Sequence, residues 1–128
     1  MGYGSKWRWA GDLVHKYKAK GERTVDGWFP SRGELARWKD LQLLQAAGAI
    51  TGLARQVAFP LTTISPNGEQ HQIGRYIADY VYREVVQVEP LRVGPVIVED
   101  YKGMRTELYQ WKRKHLELEY AIILRETR

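Results

Sequence analysis

Between residues 31 and 48 apolar side chains return at helical intervals. Leu35, Trp38, Leu41 and Leu44 form a stripe, Ser31 opens it and Gly48 closes it, which predicts a helix. Downstream the composition turns towards strands. Residues 55–63 predict one strand, Ser65-Pro66-Asn67-Gly68 a turn, and 72–83, rich in β-branched and aromatic side chains, a second strand. Residues 84–92 extend that hairpin up to Gly94-Pro95, and 95–102 predict a third strand that Gly103 ends. A helix over 106–119 and a short strand over 120–125 complete the pattern. Upstream, 24–29 reads as a small hairpin with Asp26-Gly27 as its turn. Residues 5–19 place Trp9, Leu13, Val14 and Tyr17 at helical spacing among Lys and Arg, as a short basic helix or a partly ordered arm. The predicted order is αβββαβ, with 1–23 as a basic N-terminal arm and 24–128 as one α/β domain around a mixed central sheet.

At 128 residues the chain is one domain's worth, and a 44% apolar content can fill a core. Its net charge of +5 favours an anionic partner. The charge is uneven: residues 1–23 carry a net +4, 24–101 a net −2 and 102–128 a net +3. That is either a solvated tail and helix face, or a cationic rim around an acidic centre suited to holding metal ions and gripping phosphates. The absence of cysteine excludes disulfides, thiolate zinc sites, iron–sulfur clusters and a cysteine nucleophile. His15, His71 and His115 have no paired spacing and read as ordinary polar residues. With no apolar run of membrane-spanning length and no signal-peptide core, the expectation is a soluble, cytoplasmic protein.

The informative residues are acids within apolar strands. Alternation puts Asp79 on a face with Ile77 and Val81, and Asp100 and Lys102 on a face with Val96 and Val98, while Glu99 points the other way beside Ile97 and Tyr101. Both strands read as apolar on both faces, and lone buried carboxylates need a cation, a hydrogen-bond network or a proton. A divalent ion serves both. Glu34 falls on the side of the helix stripe, but Ser31-Arg32-Gly33-Glu34 is also a capping box, so it reads as cap, as site acid or as both. The acid-x-Lys spacing of Asp100 and Lys102 arises about once by chance in a chain with this many acids and lysines. Its weight comes from its context, a strand end followed by a helix with a basic run.

These residues resemble the PD-(D/E)XK nuclease superfamily, whose common core is αβββαβ and whose likeness covers about residues 24–125. The resemblance implies a first acid at Asp79, a second at Asp100, the lysine at Lys102 and a helix acid at Glu34. Phe29 to Glu34, Gln56, Tyr76 to Tyr82, and Val98 to Gly103 with Thr106, Tyr109 and Lys112 are similar to a group of small phage proteins suspected to be nucleases of this kind. The acid and lysine set and the small size are also similar to archaeal-type Holliday junction resolvases, which are homodimers. Ala78 replaces the proline of the family's name, and the second acid is Asp with Glu99 beside it.

The resemblance implies a metal-dependent DNA endonuclease, acting in recombination, repair or phage replication and plausibly selective for branched DNA. Glu34, Asp79 and Asp100 would hold Mg²⁺, with Mn²⁺ substituting, and Lys102 would position water or stabilise transition-state charge. Arg105 and Thr106, in the loop, and Lys112, Arg113 and Lys114, on the helix, are the candidates for phosphate contact, against a solvated helix face for the last three. Trp7, Arg8 and Trp9 could stack on bases, clamp a partner subunit or pack on the core. The implied partners are DNA and a second copy of the chain. The rival readings are a flap, mismatch or nicking endonuclease, a non-catalytic nucleic-acid-binding module on the same fold, and a structural protein whose acids only cap and pair.

Overall fold

Along the residues that the computed structural model describes, 21–101 and 105–127, a small hairpin precedes an αβββαβ succession. The elements are β1 (Glu22–Thr24), β2 (Gly27–Phe29), α1 (Arg32–Ala46), β3 (Ile50–Ile64), β4 (Gln70–Gln87), β5 (Arg92–Tyr101), α2 (Glu107–Glu119) and β6 (Ile122–Thr127). The chain forms two compact units, residues 1–40 and 41–128, with α1 spanning the division. The expected arm over 1–23 lies almost wholly outside the described residues, as do His15, Trp7, Arg8 and Trp9.

In the first unit β1 and β2 pair antiparallel, with Thr24 opposite Gly27, so the two-residue turn is Val25-Asp26 and not the expected Asp26-Gly27. Gly27 follows at φ 109°, a conformation that glycine adopts without a Cβ penalty. The Trp38 indole N–H donates to Asp26 Oδ2 at 3.1 Å, and the Phe29 and Trp38 rings lie 6.5 Å apart. At the start of α1 the Glu34 N–H donates to Ser31 Oγ at 3.2 Å, so the Ser31 half of the capping box is made. Leu35, Trp38 and Leu41 are buried as the stripe predicts, whereas Leu44, expected to continue it, is exposed.

The second unit is a four-stranded mixed sheet of order β3-β4-β5-β6, antiparallel except for the parallel pair β5–β6. A parallel pair needs a crossover connection, and α2 supplies it, packing against β3, β4 and β6. Leu61, Tyr76, Ala78, Val98 and Leu116 form the buried cluster beneath that helix. Four consecutive β5 residues, Ile97 to Asp100, are buried, so this stretch is covered on both faces as expected. β4 is not: Tyr76, Ala78, Tyr80 and Tyr82 are buried, but Ile77 is exposed.

The strands overrun their predicted ends. β3 begins at Ile50, through a register shift between Thr51 and Ala54 around Gly52, whose φ is 68°. β5 begins at Arg92 and runs through Gly94-Pro95, the pair expected to separate two segments. Pairing to β6 starts only at Val96, so at Pro95 β5 needs no donor on that side.

Candidate active site

The β4–β5 ladder runs from Gln87 opposite Arg92 to Tyr80 opposite Glu99 and stops there. One step further, Asp79 and Asp100 use their side chains in place of ladder bonds. The Asp79 N–H donates to Asp100 Oδ1 at 3.1 Å, and the Tyr101 N–H donates to Asp79 Oδ2 at 2.9 Å. This reciprocal clasp brings two carboxylates together at a strand end, with Asp100 fully buried and Asp79 partly so.

Gln56 reaches the same point from β3, its Nε2 donating to Asp79 Oδ1 at 3.4 Å. It sits between the pairs Arg55–Tyr80 and Val57–Ala78 and has φ 53°, the left-handed region that a non-glycine residue seldom adopts. The strain is held in the residue that contacts the acid.

Glu99 lies opposite Tyr80 and therefore on the other face of the sheet from Asp100. It is fully buried, receives the Tyr82 hydroxyl at Oε1 at 2.6 Å, and has the Thr127 hydroxyl 3.4 Å from Oε2. Burial, then the Glu99 carboxylate, push the Tyr82 hydroxyl above its ordinary pKa, so it stays protonated and donating. The two adjacent acids thus separate into different environments.

Sequence reasoning passed over Glu126. The parallel register sets it beside Asp100, and its carboxylate accepts from Arg105, from Arg113 and from the Tyr109 hydroxyl, the last at 3.0 Å. Burial works to raise its pKa, but these three donors prevail and hold it below the usual carboxylate range. Tyr109 is pushed well up by burial, by Glu126 and by the charge of Asp100, so its hydroxyl keeps its proton beside the acids. The signal for Glu126 is a register between two strands joined by a helix, which no local pattern carries.

Glu126→Gln removes the charge that the two guanidinium groups share. The folded carboxyl titrates below its ordinary value of 4.5, so its stabilisation is complete above that value and fades as pH falls through the lowered one. Chemical unfolding should show the variant less stable by about 1–2 kcal/mol near neutrality, with the gap closing on acidification. A gap that stays constant with pH would contradict this role.

The predicted phosphate contacts diverge. Arg105 and Arg113 are tied to Glu126, and Arg113 also to Glu117 at 3.1 Å. Thr106 is the N-cap of α2, its hydroxyl oxygen accepting from the Tyr109 N–H at 3.1 Å. Lys112 lines an open cavity of about 410 Å³ with Arg75, Tyr76, Thr106 and Tyr109, whereas Lys114 lines another, of about 590 Å³, with Trp111, His115 and Leu118. Side chains two apart on a helix lie far round it from one another, so the basic run is not one patch. His115 contacts the Thr62 carbonyl at 2.8 Å and Glu119 at 3.1 Å, and His71 lies 3.7 Å from Glu69, ordinary polar roles for both.

Glu34 belongs to the first unit and Asp79 and Asp100 to the second, while Lys102 lies outside the described residues. Among the described residues no group of three or more His, Asp or Glu side chains is disposed to hold a metal ion. None of their helices is long and apolar enough to cross a membrane.

A family model described as "Protein of unknown function (DUF1064)" matches residues 14–126. The chain belongs to this family. The match takes in all of β1 to α2 and nearly all of β6, so the DUF1064 segment contains Glu34, Gln56, Asp79, Asp100, Lys102 and Glu126 together. No curated protein and no solved structure matches the DUF1064 chain.

Proposed function

We propose that this DUF1064 protein is a Mg²⁺-dependent DNA endonuclease that hydrolyses phosphodiester bonds at the Asp79–Asp100 pair, with branched DNA as its preferred substrate. The observation that carries the reading is the reciprocal clasp: two carboxylates on one sheet face where the ladder ends, with Glu99 turned to the other face.

Two aspartates suit Mg²⁺ in number, because that ion takes one or two carboxylates and completes its shell with waters and substrate phosphates. When bound, the ion supplies Lewis acidity and an activated water. Asp79 and Asp100 would hold it, with Gln56 fixing the orientation of the Asp79 carboxylate. Tyr109, kept protonated, presents a polar edge beside Asp100, and Glu126 holds Tyr109 and Arg113 in position. Lys102 would position the attacking water. A homodimer would offer two such sites, as paired nicks in a four-way junction require.

The rival reading is a non-catalytic nucleic-acid-binding module on the same fold. The discriminating experiment offers the full chain labelled four-way junction, flap, single-stranded and linear duplex DNA in Mg²⁺. The proposal expects paired nicks concentrated at the junction. Equal cleavage of every substrate would remove the selectivity, and binding without cleavage in either Mg²⁺ or Mn²⁺ would establish the binding module.

A further inference from the structure

The cavity between β4 and the first turns of α2 holds groups that the carboxylate pair does not use. Arg75 enters it from β4 and Lys112 from α2, and neither takes part in an ion pair among the described residues. Two uncompensated cations on one concave surface attract an anion. A second, independent observation comes from Tyr76, which lines the same cavity and is only 3% exposed. Its hydroxyl is buried and has no hydrogen-bond partner among the described residues. Buried hydroxyls are ordinarily satisfied, and a ligand oxygen would satisfy this one. Tyr109 joins the cavity to the acids: its ring lies 6.2 Å from that of Tyr76, and its hydroxyl donates to Glu126, the register neighbour of Asp100.

We infer that this cavity binds a backbone phosphate of the nucleic-acid strand, through Arg75, Lys112 and the Tyr76 hydroxyl, next to the phosphate that lies at the Asp79–Asp100 pair. The inference rests on the nuclease reading for its ligand. It adds Arg75 and Tyr76, and it makes the cavity side of α2, not the Lys114 side, the path of the strand.

The test measures binding of labelled four-way junction and duplex DNA to the full chain in EDTA across a range of salt, so that cleavage does not enter. Arg75→Ala and Lys112→Ala should each weaken binding about 5- to 10-fold and lower the salt slope by about one. Tyr76→Phe should melt at or above the parent temperature yet bind about 2- to 5-fold more weakly. Parent-like affinity and slope in Arg75→Ala, or a parent chain that does not bind DNA, would overturn the inference. Arg75-dependent binding without cleavage in Mg²⁺ would uphold the phosphate cavity and remove the nuclease reading. Cleavage with Arg75-independent binding would do the reverse.

Discussion

Asp79→Asn and Asp100→Asn should each reduce DNA cleavage by at least about 100- to 1000-fold, the range lost when a charge-stabilising group is removed from an active site. Each should leave DNA binding within a few-fold of the parent. The backbone clasp can survive both substitutions. Each carboxylate accepts one backbone N–H across the strand end, at 2.9 Å and 3.1 Å, and an asparagine carbonyl can still accept it. What the amide cannot do is contribute negative charge to a divalent cation. Asp100 is fully buried, so replacing its carboxylate by a neutral group also removes a desolvation cost, and the fold should persist. Measured rates on a junction substrate, with melting temperatures alongside, separate loss of chemistry from loss of structure. Undiminished cleavage in both variants would exclude the assignment.

The second large effect should fall on stability and leave cleavage alone. Tyr82→Phe strips a 2.6 Å hydrogen bond from a fully buried carboxylate, Glu99. Hydrogen bonds to buried charges are among the stronger ones, and breaking one leaves a partly unsatisfied anion, at a cost of about 2–3 kcal/mol. Chemical unfolding should report that loss, while the rate per folded molecule stays at the parent value. Glu99→Gln, which keeps an acceptor for the Tyr82 hydroxyl without the charge, should recover most of the stability and retain cleavage. A Glu99→Gln chain that is stable but inactive would move Glu99 into the site and displace the account given for its neighbour.

Much of this architecture is written locally. The αβββαβ order, the capping serine of α1, the Ser65–Gly68 turn with its 2.8 Å bond from the Gly68 N–H to the Ser65 carbonyl, and the opposite facing of Glu99 and Asp100 follow from period, turn chemistry and alternation. What escaped local reading has a common physical cause. Gly94-Pro95 looks like a break, yet the lack of a β6 partner at Pro95 tolerates it, and the strand predicted from 55 starts earlier because a register shift around Gly52 carries the pairing on to Ile50. Leu44 fits the helix period, but period alone does not say how far along a helix burial extends. Lys112, Arg113 and Lys114 are consecutive in sequence, but the helix turns Lys112 and Lys114 to different cavities and Glu126 claims Arg113. Glu126 itself, and the tie it makes to Tyr109, depend on parallel pairing across the α2 crossover, a non-local fact.

The most direct test of the central claim is cleavage of a labelled four-way junction by the purified full chain, in Mg²⁺ and in EDTA. Nicks at the branch in Mg²⁺ and intact DNA in EDTA are the expected result. Intact DNA in both, under conditions where the chain binds the junction, would contradict it.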